Sequence, residues 1–180
     1  MTTAHKYAHI ESERRFLLKT VPPDLDEGAG SRITDRYWAG TRLRLRRIES
    51  LNGEVIQRKL TQKYVDPGLP PEDTIITNIY LSEDEYRMFS QIKGLPLTKR
   101  RYKYLDTGSG YSIDVFEGEL AGLVLAELHA GQGVLPAGAV PGFAVEEVTA
   151  ESAFTGGALA GTSAVALHAL LTSRFGKPAG

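Results

Sequence analysis

The chain contains no cysteine. That absence excludes disulfides, thiolate metal sites and a cysteine nucleophile together, and it fits a reducing compartment. No run of roughly 18 apolar residues is present either, so no helix is expected to cross a membrane. The opening MTTAHKYAH has no apolar core of the signal-peptide kind, and a soluble, cytoplasmic protein is expected. An excess of one charge is also missing. With 21 basic and 22 acidic residues the formal net charge is −1, which argues against a protein that holds nucleic acid by bulk positive charge. Any anion binding must therefore come from local clustering. The 180 residues, 42% hydrophobic and 24% charged, suffice for one packed domain spanning 1–180, with no internal repeat and no boundary.

What is present is a set of alternating strands with unusual charges on them. In HIESERRFLL, residues 9–18, Glu11, Glu13 and Arg15 stand two apart, and an extended chain points all three the same way. TVPPDLDEGAGS is a connection, and ITDRYW leads into GTRLRLRRIES, where Arg42, Arg44 and Arg46 share one face while Leu43, Leu45 and Arg47 share the other. Asn52-Gly53 supplies the positive φ angles of a tight hairpin, so EVIQRKLTQKY is expected to return antiparallel, with Lys59 and Lys63 on one face. TIITNIYL follows as a β-branched strand. Ser82 and Glu85 form a capping box for a helix over Ser82–Gln91, with Met88, Phe89 and Ile92 as its apolar stripe.

Three more strands are read in LTKRRYKYL, GYSIDVFEG and LVLAELH, the first carrying Lys99, Arg101 and Lys103 on one face. AGQGVLPAGAVPG is low-complexity loop without a P-loop pattern, and a final helix is expected from about Leu159 to Phe175, followed by a frayed GKPAG. Seven or so strands with short links and few helices suggest a largely antiparallel sheet or barrel in an α+β domain. Closing that sheet with its basic faces inward would concentrate the cations around one lumen. Such a lumen makes sense only if it stays wet or holds a polyanion. Glu11, Glu13, Asp114 and Glu127 supply hard oxygen ligands of the sort Mg²⁺ or Mn²⁺ accepts beside phosphate. A cationic row with acids for a metal is the equipment of phosphoryl transfer. One such strand alone reads as an ordinary amphipathic strand with a solvated face. Three basic strands beside an E-x-E strand point to a site.

ESERRFLL at 11–18, LRLR at 43–46, LTQK at 60–63, KRRY at 99–102, IDVFEGELAGLVLAEL at 113–128 and EEVTAESAF at 146–154 follow one another in the chain. Together they resemble the motifs of the CYTH superfamily, the triphosphate tunnel metalloenzymes, whose E-x-E-x-K opening, LTxK, KTRY and EVTxDxxY segments occur in that order. The resemblance implies an α+β fold, a closed antiparallel β-tunnel of about eight strands with a few flanking helices. Its basic lining would grip a small-molecule triphosphate or polyphosphate, and its glutamates would hold Mg²⁺ or Mn²⁺. By motif, Glu11, Glu13 and Arg15 would be catalytic. Glu11, Glu13 and Glu127 would be metal ligands, and Asp114 a ligand or a carboxylate just behind one. Arg44, Arg46, Lys63, Lys99 and Arg101 would clamp phosphate.

Three positions depart from the family pattern. Residue 15 is Arg where the signature has Lys, and an arginine clamps phosphate without being able to take a proton. Ile76 or Asn78 stands where an acidic pair is expected, and His129 replaces a second glutamate in AELH. His129 is read as a hydrogen-bonded or solvated strand-end residue, although imidazole suits Mn²⁺ better than Mg²⁺. His5, His9 and His168 are read as surface or helix residues, and Tyr37 and Trp38 as aromatics packed under a helix. The expected function is metal-dependent hydrolysis of a short linear polyphosphate or organic triphosphate. The alternative is a catalytically weak polyphosphate- or nucleotide-binding module; ATP cyclisation is a third reading with no positive support in the residues. The oligomeric state stays open.

Overall fold

A computed structural model describes residues 6–130, 135 and 138–176. Its strands are β1 (His9–Leu18), β2 (Ser31–Tyr37), β3 (Leu43–Ser50), β4 (Val55–Tyr64), β5 (Asp73–Tyr80), β6 (Leu95–Asp106), β7 (Ser109–Phe116), β8 (Val124–His129) and the two-residue β9 (Glu146–Glu147). The helices are α1 (Glu83–Ser90), α2 (Gly156–Ala160) and α3 (Ala164–Phe175). Around the sheet the order is β5-β4-β3-β2-β6-β7-β8-β1, and pairing of β5 with the first half of β1 closes it into an eight-stranded antiparallel barrel. β9 lies against the second half of β1.

The strand β2 was not among those legible from alternation. Its inward set is Ser31, Ile33, Asp35 and Tyr37, and Asp is a poor strand former. The register against β3 places Asp35 opposite Arg46, so an ion pair compensates for the poor propensity. The hairpin from β3 to β4 also differs from expectation. It is a longer loop, Leu51–Glu54, in which only Gly53 takes a positive φ (86°), rather than a two-residue turn with both central residues left-handed. That two-residue geometry occurs instead between β6 and β7, at Thr107 (φ 46°) and Gly108 (φ 82°).

Two apolar clusters fix the barrel. Phe16 and Leu18 on the outer side of β1 pack with Ile113, Val124 and Leu128 beneath Val21, Leu25 and Phe143. Leu17, on the inner side, packs with Leu97, Phe116 and Leu125 against Phe154, Leu159 and Leu167. The FLL run is thus buried on both faces, which is why it does not alternate. The inner cluster stops the lumen at one end, where α2 meets β2 and β6.

The capping box of α1 is present as expected: Ser82 Oγ accepts from Glu85 N, and Glu85 accepts from Ser82 N at 2.7 Å. The apolar stripe is not. Met88 and Ile92 are 60% and 52% exposed. In α1 only Tyr86, Phe89 and Ser90 are partly covered, because the helix touches the barrel on one side, against β3 and β4. Arg36 fastens its carbonyl end by donating to Ser90 O and Ile92 O. The single final helix is in fact two. Gly161 ends α2, and Ser163 restarts the chain as the cap of α3 by accepting from Ala166 N. His5, the GKPAG tail beyond Gly176 and much of AGQGVLPAGAVPG lie outside the described residues.

Candidate active site

Alternation along each strand sends one set of side chains into the barrel, where they line a cavity of about 670 Å³. From β1 come Glu11, Glu13 and Arg15; from β3, Arg44 and Arg46; from β4, Lys59 and Lys63; from β6, Lys99 and Arg101; from β8, Glu127 and His129. Every site residue named from sequence lines this cavity except Asp114. One other expectation about faces needs correction: Lys103 is exposed and lies beyond the lining. Arg42, just before β3, does line the cavity, exposed and with its guanidinium 5.3 Å from the centre of the Tyr64 ring. Lys103 stands toward the end of β6, where the parity rule continues but the enclosing wall does not.

Most inward cations already hold a carboxylate. Arg15 bonds Glu13, and Lys63 Nζ donates to Glu11 at 2.9 Å. Arg46 grips Asp35 with two bonds, from Nε at 2.7 Å and from Nη2 at 2.6 Å. Asp114, fully buried, lies behind Lys99 and Arg101 and accepts from both, with two bonds of 2.7 Å coming from Arg101. It therefore positions cations in this state instead of facing the cavity as a ligand. Arg101 also bonds Glu127. Arg44 and Lys59, and the exposed Arg42, are the exceptions. Arg44 Nη2 donates to Thr61 Oγ1 at 3.2 Å, Thr61 donates on to Asn78 Oδ1 at 2.7 Å, and Arg44 Nε has no partner among the described residues. The Lys59 side chain makes no hydrogen bond or ion pair among the described residues.

The acids respond to these neighbours. Burial would raise the Asp35 carboxyl, but Arg46 and Arg44 outweigh it and hold it near 2, below its ordinary 3.8. Burial likewise opposes ionisation of Glu127, and Arg101 and Lys99 more than offset it, holding Glu127 well below 4.5. Glu11 is lowered too, burial being outweighed by Lys63. Carboxyls lowered on folding add stability that is fully present above their unfolded values and is lost as pH falls through the folded ones. The barrel is therefore expected to lose stability steeply between about pH 5 and pH 2, as urea midpoints measured across that window would show. A flat profile would contradict the pairing described here.

Three side chains form the one group of potential metal donors found among the described residues. Glu13, Glu127 and His129 each offer a ligand atom, and these atoms lie within 4.8 Å of one another. His129 Nε2 is 3.4 Å from Glu127 and Nδ1 is 3.7 Å from Glu13, so the histidine read as a bland strand end stands between the two acids. The register explains this: Glu13 pairs with His129 and Arg15 with Glu127 across β1 and β8. Glu11 lies along the same face of β1 but outside this group. Tyr37, read as packing, lies beneath the start of α2, where a Cβ on Gly156 would collide with its hydroxyl.

Neither a family model nor a curated protein matches this sequence. Solved structures do. The chain shares a fold with them, and its closed antiparallel β-barrel is the architecture that the motif resemblance implied. One similar structure is that of the inorganic triphosphatase NE1496, with a TM-score of 0.53, 23% identity, and coverage of 84% of this chain and 95% of that one. A second structure of NE1496, described as a hypothetical protein, matches with a TM-score of 0.52 and 23% identity over 85% of this chain and 99% of that one.

Proposed function

We propose that this chain is a triphosphate tunnel metalloenzyme that hydrolyses a short linear polyphosphate or an organic triphosphate inside the barrel. The observation that carries the reading is the division of the lumen. Glu13, Glu127 and His129 converge on the wall formed by β1 and β8, while Arg44 and Lys59 face the same cavity from β3 and β4. The fold shared with an inorganic triphosphatase supports it.

The donor set fits a divalent metal. Two carboxylates and an imidazole match Mn²⁺ more closely than Mg²⁺, which favours all-oxygen surroundings. Bound there, such an ion would neutralise phosphate charge and lower the pKa of a water. The remaining work falls to the protein. Arg101 and Lys99, held in place by Asp114, aim positive charge at the centre of the lumen. Arg15 is tied to Glu13, and engagement of that glutamate would free the guanidinium for phosphate oxygens, while Lys63 faces the lumen paired with Glu11. The apolar residues at the α2 end, among them Leu97, Phe116, Leu125 and Leu159, line that side of the lumen. Arg15 stabilises charge on the transferring group but takes no proton from the attacking water, since guanidinium stays protonated.

Titration calorimetry is expected to show Mn²⁺ binding at least about tenfold more tightly than Mg²⁺, with His129→Gln narrowing that gap. Equal affinities unaffected by the substitution would remove His129 from the ligand set. The functional reading itself is tested by phosphate release from inorganic triphosphate, longer polyphosphate, ATP and thiamine triphosphate, each with Mg²⁺, Mn²⁺ or EDTA. Metal-dependent release from one of them is the expected result. The second reading, a polyphosphate receptor, is favoured by Arg15 and by Ile76 and Asn78 in the place of acids. It predicts tight binding without release.

A further inference from the structure

We propose that Lys59 is an anion-binding residue which, with Arg44, forms the subsite for the end of the polyphosphate chain remote from the carboxylate cluster. The proposal rests on the triphosphate reading and adds a residue to it. Around the closed barrel, β3 stands opposite β8, four strands away in either direction, and β4 adjoins β3. In register, Lys59 pairs with Arg46 and Thr61 with Arg44, so Lys59 and Arg44 lie diagonally on one inward face. A linear anion reaching from the β1–β8 wall across the lumen ends against them.

The case turns on which charges are already matched. Lys59 is faced by Arg44 and Arg46 on β3, Asp35 on β2 and Glu11 on β1. Tyr80 lies opposite it on β5, and Lys63 four residues along its own strand. Both acids are engaged elsewhere, Asp35 by Arg46 and Glu11 by Lys63. Lys59 is thus a half-buried ammonium beside two arginines with no carboxylate of its own. Burial, then Arg46 and Arg44, push it down to about 8 from 10.5. Such a group costs the folded chain stability, and a bound polyanion would remove that cost. A lysine serving only solubility would instead point its head to water, as its long stem allows.

The test uses inorganic tripolyphosphate in EDTA, with binding measured by calorimetry on the wild type, Lys59→Gln, Lys59→Arg and Arg58→Gln. Arg58 is on the outer face of the same strand, 3.5 Å from Glu83, and its variant is expected to bind as the wild type does. Lys59→Gln is expected to lose roughly tenfold or more in affinity, as for loss of a charged hydrogen bond, while its melting temperature holds or rises. Lys59→Arg is expected to keep the affinity at neutral pH and to retain it above about pH 9, where the wild type weakens as its amine is neutralised. Unchanged affinity in Lys59→Gln would overturn the proposal while leaving the triphosphate reading intact. A lowered melting temperature in that variant would also overturn it, by making Lys59 a structural residue. A wild type that binds no tripolyphosphate would overturn both.

Discussion

Asp114→Asn is expected to lower the unfolding free energy by about 3–5 kcal/mol, the cost of removing one partner from a buried charge network. Asp114 has no exposed surface and accepts from both Lys99 and Arg101. Lys99 is itself only 6% exposed, and burial already holds its amine below the ordinary value despite Asp114 and Glu127. Asparagine keeps the shape but loses the charge, leaving two enclosed cations with Glu127 as their remaining acid. Urea unfolding would report this as a lower midpoint with an unchanged slope. The same variant is expected to weaken tripolyphosphate binding, because Lys99 and Arg101 lose the group that aims them. A change in stability under about 1 kcal/mol would mean that water reaches these cations in the folded lumen.

Glu13→Gln is expected to separate turnover from binding. Loss of a donor from the only three-residue group of its kind among the described residues is expected to reduce metal-dependent phosphate release at least about a hundredfold. Glu13 also bonds Arg15, however. Neutralising it frees that guanidinium in a lumen otherwise balanced by ion pairs, so tripolyphosphate binding in EDTA is expected to tighten. The opposite movement of the two properties distinguishes this account from simple damage to the barrel, which would lower both. Indifference of both would remove the acidic pair from the site.

The parity of Glu11, Glu13 and Arg15 was legible from residues 9–18 alone, and so were the inward rows of β3, β4 and β6, because a strand's period of two needs no tertiary information. Closure of the barrel was legible only through the resemblance of the motifs, since no alternation states which strands are neighbours. What escaped the sequence depended on register. Asp35 has meaning only opposite Arg46, and His129 only opposite Glu13. A metal reading of AELH was available from donor chemistry, but nothing local showed that the histidine would stand between two acids rather than in solvent. Lys59 was on a legible basic face. Its distinction from Lys63 is that Glu11 reaches one and no acid reaches the other, a fact about five strands at once. The break between α2 and α3 was present as Gly161 and Ser163, a stop and a cap that the long apolar pattern concealed.

The balance of charge within the lumen gives the site its logic. Acids and bases neutralise one another within and between strands, which lets the barrel close around its inward cations without unfolding. Engagement of the glutamates on β1 and β8 by a divalent ion would release positive charge toward the anion, so metal and anion are expected to bind cooperatively.

The most direct test is anomalous diffraction from crystals of the wild type grown with Mn²⁺ and a non-hydrolysable triphosphate analogue. The account predicts an anomalous peak among Glu13, Glu127 and His129, with the phosphate chain running from that peak toward Arg44. Manganese bound elsewhere, or the analogue bound outside the barrel, would contradict it.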